Sequence, residues 1–94
     1  MTPKPMPTPN PQVLFTELED GTGVLLHLDT KFYYTLNATG VVVWKALSAA
    51  APSTSAIATK IAEAFRVEPE AAEKDVEALL ADLVADGLVI EARP

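Results

Sequence analysis

The chain has 94 residues, 49% of them apolar, no cysteine and a net charge of −6. That length suits one domain with one modest core, and the missing cysteines exclude disulfides, thiolate metal sites, iron–sulfur clusters and a cysteine nucleophile. No run approaches the ~18–20 uninterrupted apolar residues that cross a bilayer, and Met1 to Pro11 lacks the apolar segment of a signal peptide, so a cytoplasmic address without membrane contact is the default.

Residues 1–12 read as a disordered, proline-rich tail. Prolines at 3, 5, 7, 9 and 11 alternate with polar or small residues and remove backbone donors, which favours extended polyproline II or disorder. The folded domain is expected over residues 13–92. Val13 to Leu18 predicts a first strand. Glu19 to Gly23 is a turn, with Asp20-Gly21 as its hairpin signal. Val24 to Leu28 predicts a second strand, with Val24, Leu26 and Leu28 on one face and Leu25 and His27 on the other. After Asp29-Thr30, Lys31 to Leu36 predicts a third, aromatic-rich strand. Phe32, Tyr34 and Leu36 share one of its faces, and Lys31, Tyr33 and Thr35 the other.

Asn37 then suits a helix N-cap, with the helix running from Ala38 to about Ser48. Its three successive valines are poor helix formers, so packing has to hold it, and Gly40 costs a further ~1 kcal/mol against alanine. Ala49 to Pro52 breaks the chain. Ser53 caps a second helix ending near Phe65, with Ile57, Ile61, Ala64 and Phe65 as its apolar stripe. A third helix starts at Pro69, a residue suited to the first helical turn, and ends at Gly87 as C-cap. Its stripe is Ala72, Val76, Leu79, Leu80, Leu83 and Val84. Leu88-Val89-Ile90 follows as a short strand-like extension. Three strands followed by three helices make an α+β fold with segregated elements.

The charge is uneven. Glu68 to Asp86 holds seven acids and one base, Lys74, while the rest of the chain carries six of each. A solvated helix face explains such a run; so does a surface that repels nucleic acid and favours basic partners. Catalytic groups do not converge. His27 is the sole histidine and sits among leucines, where a structural role is the ordinary one. A metal site needs further donors beside it, and the serines lack a base. Gly21-Thr22-Gly23 is too short for a phosphate loop and opens onto a strand. No catalytic residue, metal or cofactor is expected.

One string carries more. Tyr33-Tyr34-Thr35-Leu36-Asn37, then Gly40, then Trp44, stands between Val24 to Asp29 upstream and Ile57-Ala58, Asp75-Val76, Leu80, Leu83 and Gly87-Leu88 downstream. In this order the residues resemble the PqqD family, from about Val13 to Glu91. The turn Leu28-Asp29-Thr30-Lys31 lacks the glycine often found there, and the proline-rich tail lies outside the shared pattern. The resemblance implies a winged helix-turn-helix-like fold, a three-stranded antiparallel sheet followed by three helices. It also implies a non-catalytic protein that binds the leader segment of a ribosomally made precursor peptide. The leader would add as a strand to the third strand, beside the third helix, for presentation to a modifying enzyme such as a radical-SAM enzyme, a cyclase or a protease.

The residues agree with this independently. The last strand of a meander is an edge whose unpaired N–H and C=O groups can accept an extended chain. The expected peptide-binding residues are Lys31, Phe32, Tyr33, Tyr34 and Thr35 on the strand and Asp75, Val76, Leu79, Asp82 and Leu83 on the helix. Within the groove, Lys31, Tyr33 and Thr35 are expected on the strand side, with Tyr34, Leu36 and Trp44 in the core. Two alternatives remain: a structural or regulatory subunit that clamps an enzyme without touching peptide, and a winged-helix DNA-binding protein, which the acidic third helix opposes. A homodimer through the edge strand or a swapped hinge is also open.

Overall fold

The computed structural model describes residues 6–49 and 53–90. Residues 1–5 of the expected tail, Ala50 to Pro52 of the expected break and Glu91 to Pro94 lie outside the described residues. The element order is β1 (Thr8–Pro9), β2 (Val13–Glu17), β3 (Gly23–His27), β4 (Tyr33–Leu36), α1 (Ala38–Ser48), α2 (Thr54–Phe65), α3 (Pro69–Ala85) and β5 (Val89–Ile90). Strands β2, β3 and β4 form an antiparallel meander in that order, and β1 pairs with β5 in a separate two-stranded ladder.

Turn chemistry closes both hairpins. Between β2 and β3, Leu18 N–H donates to Thr22 O across a three-residue loop, and Gly21 takes the positive φ of 87° that this loop requires. Between β3 and β4, His27 N–H donates to Phe32 O at 2.9 Å and Lys31 N–H donates to His27 O at 2.8 Å. This places Lys31 in the loop at φ 61°, not in the strand where its alternation suggested. Lys31 occupies the left-handed position that glycine would fill at lower cost, which accounts for the missing glycine noted in the sequence.

Register sorts the sheet into two faces. Leu25 is opposite Phe15 on β2 and Tyr34 on β4. Gly23, Leu25 and His27 are buried and form the inner face, on which α1 sets Val41 against Gly23 and Trp44 beside Phe15. Asn37 caps α1 by accepting from Gly40 N–H at 2.8 Å, and Ser53 caps α2 by accepting from Ala56 N–H at 3.1 Å. The α2 and α3 helices pack together through Ile57, Ala58, Ile61, Ala72, Val76, Leu80 and Leu83, all in the core. Gly40 sits where a Cβ would come within 3.2 Å of Leu36 Cβ, so its absence of a side chain lets α1 start directly against the end of β4.

The tail expectation fails over residues 8–12. Thr8 pairs with Ile90 and Pro9 with Val89, and Met6 packs against the core. Asn10 anchors the crossing: its backbone N–H donates to Leu88 O at 3.1 Å and its side-chain amide donates to Gly87 O at 2.9 Å. The same amide lies 3.4 Å from Nε2 of the buried His27, whose Nδ1 accepts from Asp29 N–H at 3.2 Å. The physical reason is parity. Thr8 and Asn10 turn their backbone donors toward β5, while Pro7, Pro9 and Pro11 hold the alternate positions, whose donors would point away and are not needed.

Candidate functional site

The geometry of β4 follows from one hydrogen bond. His27 and Phe32 continue the β3–β4 register, and His27 N–H donates to Phe32 O, so by alternation Leu25–Tyr34 and Gly23–Leu36 are the hydrogen-bonded pairs. Tyr33 and Thr35 therefore turn their N–H and C=O groups away from β3. Among the described residues no strand pairs on that side. The free rim of β4 is carried by the backbone of Tyr33 and Thr35, two donors and two acceptors in line.

The side chains alternate the other way. Tyr34 and Leu36 point to the helical side, Leu36 fully into the core and Tyr34 packed at its border. Tyr33, 65% exposed, and Thr35 point to the opposite face of the sheet. This corrects the expected groove: Tyr33 and Thr35 point away from the helical side, Lys31 lies in the loop, and Tyr34 points to the helical side. Phe32 is half exposed beside the hairpin loop, with its carbonyl committed to β3.

The stripe of α3 divides as a helix of this width must. Ala72, Val76, Leu80 and Leu83 are buried and hold the core, so Val76 and Leu83 are packing residues rather than open walls. Leu79 is half buried at the margin. Asp75, Leu79, Asp82 and Asp86 fall at i, i+4, i+7 and i+11, one line along the helix. The charges of two of these carboxylates act on β4: burial pushes the Tyr34 phenol above its ordinary value of 10.0, and the negative charges of Asp82 and Asp86 push it further the same way. The lone salt bridge among the described residues, Lys45 with Glu17, lies elsewhere.

Where β4 ends, an open hollow of about 310 Å³ begins, lined by Asn37, Thr39, Gly40, Val43, Asp75, Val76 and Leu79. It is bounded by the start of α1 and the middle of α3. Of the expected site residues, Asp75, Val76 and Leu79 come together here, Val76 as a floor with no exposed surface. Tyr34 and Asp82 lie outside this lining, with Asp82 near enough for its charge to act on the phenol. Asn37, Thr39, Gly40 and Val43 escaped the sequence because an N-cap and a helix interior explain them fully. The available signal was their position, immediately after an edge strand. Asp86 was legible from its spacing to Asp75 and Asp82. Within the described residues no helix is long and apolar enough to cross a membrane.

Comparison with known proteins gives two kinds of match. The family model for coenzyme PQQ synthesis protein D (PqqD) matches residues 22–89. No curated protein matches the chain. Among solved structures, TbiB1 in complex with the TbiA(beta) leader peptide superposes with a TM-score of 0.80 at 24% identity, covering 93% of this chain and 99% of that one. A lasso peptide synthetase B1 complexed with its leader peptide gives a TM-score of 0.78 at 25% identity, covering 89% of this chain and 96% of that one.

Proposed function

The chain belongs to the PqqD family, and on that premise we propose that it binds the leader segment of a ribosomally made precursor peptide and presents it to a modifying enzyme. The observation that carries this reading is the free rim of β4, Tyr33 to Thr35, running into the hollow beside α3. Both similar structures hold leader peptides, which supports a peptide as the occupant.

The physics of the site suits an extended chain. Backbone bonds to Tyr33 and Thr35 supply sequence-independent affinity, each worth a net ~0.5–1.5 kcal/mol. They fix direction and register but do not select. Selection falls to the hollow, which exceeds the roughly 150 Å³ that accommodates a benzene-sized molecule and so admits a large apolar side chain. Covering Leu79 there gains up to ~1.5–3 kcal/mol. Asp75, Asp82 and Asp86 favour lysine or arginine on the leader, chiefly through association rate and choice of partner. In this reading the chain performs no bond chemistry, and the enzyme that acts on the bound peptide supplies it.

Thr35→Pro tests the reading. Proline removes the outward N–H of Thr35 and leaves β3–β4 pairing intact, as edge strands tolerate. The fold should persist by circular dichroism while leader affinity, read by fluorescence anisotropy, drops about tenfold or more from the lost bond and the obstructed rim. Retained affinity in a folded Thr35→Pro protein would place the peptide elsewhere.

A further inference from the structure

The outer face of the three-stranded sheet breaks the rule that a solvated face is polar. Antiparallel sheets with one face on the core ordinarily alternate apolar inside and polar outside. Here the inner face is apolar, and the outer one is too. Leu14 and Thr16 on β2, Val24 and Leu26 on β3, and Tyr33 and Thr35 on β4 are its strand positions, with Leu18 and Leu28 extending the same parity. None of these eight is charged, in a chain with 21% charged residues. Leu14 is 53% exposed, Leu18 45% and Tyr33 65%. Register aligns Leu14, Leu26 and Tyr33 in one row across all three strands, and Thr16, Val24 and Thr35 in the next. Contiguous apolar surface of this kind marks a docking site.

We propose that this outer sheet face docks the modifying enzyme that acts on the bound peptide, an inference that rests on the leader-binding reading for the enzyme's identity. Two observations select this occupant. The row ends at Tyr33, on the strand whose free rim would take the leader. An added strand alternates its side chains, so half of them lie flush with Tyr33 and Thr35 and extend this same face. An enzyme seated there touches sheet and leader together, and reads the loaded protein rather than either component. Charge argues in the same direction. The hairpin turns at the two ends of the face carry Glu19, Asp20 and Asp29 against Lys31 alone. With a net −6 on each copy, a second copy repels, whereas a surface with an apolar centre and a basic rim is complementary.

Leu14→Glu and Leu18→Glu test it, because both side chains are about half in water and neither lies on β4, the strand of the proposed leader site. Three measurements use the full chain: titration with the leader peptide, binding to the purified enzyme encoded beside the precursor with leader present, and sedimentation equilibrium. Leader affinity should stay within about twofold of the parent while enzyme affinity falls about tenfold or more, the scale expected when a side chain at the centre of an interface is spoiled. Unchanged enzyme affinity in both variants overturns the proposal. So does a parent dimer that Leu14→Glu dissociates, since the face then belongs to a second copy. A parent chain that ignores the leader but binds the enzyme through Leu14 overturns the leader reading alone.

Discussion

Tyr33 and Tyr34 are identical neighbours in different surroundings. Tyr33 lies on the outer sheet face in water, and Tyr34 stands at the border of the core, close enough to Asp82 and Asp86 for both to act on its phenol. Burial first, and those charges second, disfavour the phenolate, so Tyr34 ionises above 10.0. The sign for stability follows from linkage. Below pH 10 the phenol is protonated whether the chain is folded or not. As pH climbs from about 10 through the raised value, the unfolded chain loses its proton first and the folded state loses ground. In a Tyr33→Phe background, phenolate absorbance should report Tyr34 alone with a midpoint above 10.0, and Asp82→Asn should bring that midpoint down. An unmoved midpoint would detach Asp82 from β4. At this scale the sequence was half legible. Strict alternation told which residues share a face of β4. It did not tell which face meets the helices, because Tyr33 and Tyr34 are equally good candidates for either. Register with Leu25 decides it.

Among the elements, α3 carries three jobs on one cylinder. Ala72, Val76, Leu80 and Leu83 close the core, Asp75 and Leu79 line the hollow, Asp82 acts by its charge on Tyr34, and Glu77 stands in solvent. Leu79→Asp introduces a charge at a half-buried wall of the hollow and removes apolar cover worth up to ~1.5–3 kcal/mol. Leader affinity should fall about tenfold or more. Glu77→Ala deletes an exposed charge of ~0–1 kcal/mol in any pair and should change affinity little. Equal effects in a titration, with both proteins folded, would remove Leu79 from the peptide path. The excess width of the stripe was visible in the sequence. Its partition was not, since Leu79 and Leu80 are indistinguishable until packing against α2 orients the helix.

For the molecule as a whole, β1 and β5 bring the two ends of the described chain together. Asn10 is the fastening, with its backbone on Leu88 and its side chain on Gly87 beside His27. Asn10→Ala leaves a carbonyl at the end of α3 without its partner, and should cost about 1–3 kcal/mol. Urea unfolding should show a lower midpoint with little change in slope. A midpoint equal to the parent's would mean that the ladder adds nothing. The order of three strands and three helices was legible because turns and caps are written in specific residues: Asp20-Gly21, Asn37, Ser53 and Gly87. The N-terminal strand was not, because proline density is the mark of disorder. The information lay in its spacing, every second position, a pattern that composition averages away.

That spacing has a practical result. A ladder grows only where both donors and acceptors remain, and the flank of β1 turned from β5 has carbonyls with Pro9 in its middle and Pro7 and Pro11 on either side. No neighbouring chain can zip onto that flank. Edge-to-edge growth is therefore blocked along the proline side of this ladder, and that side stays a clasp instead of becoming a seed.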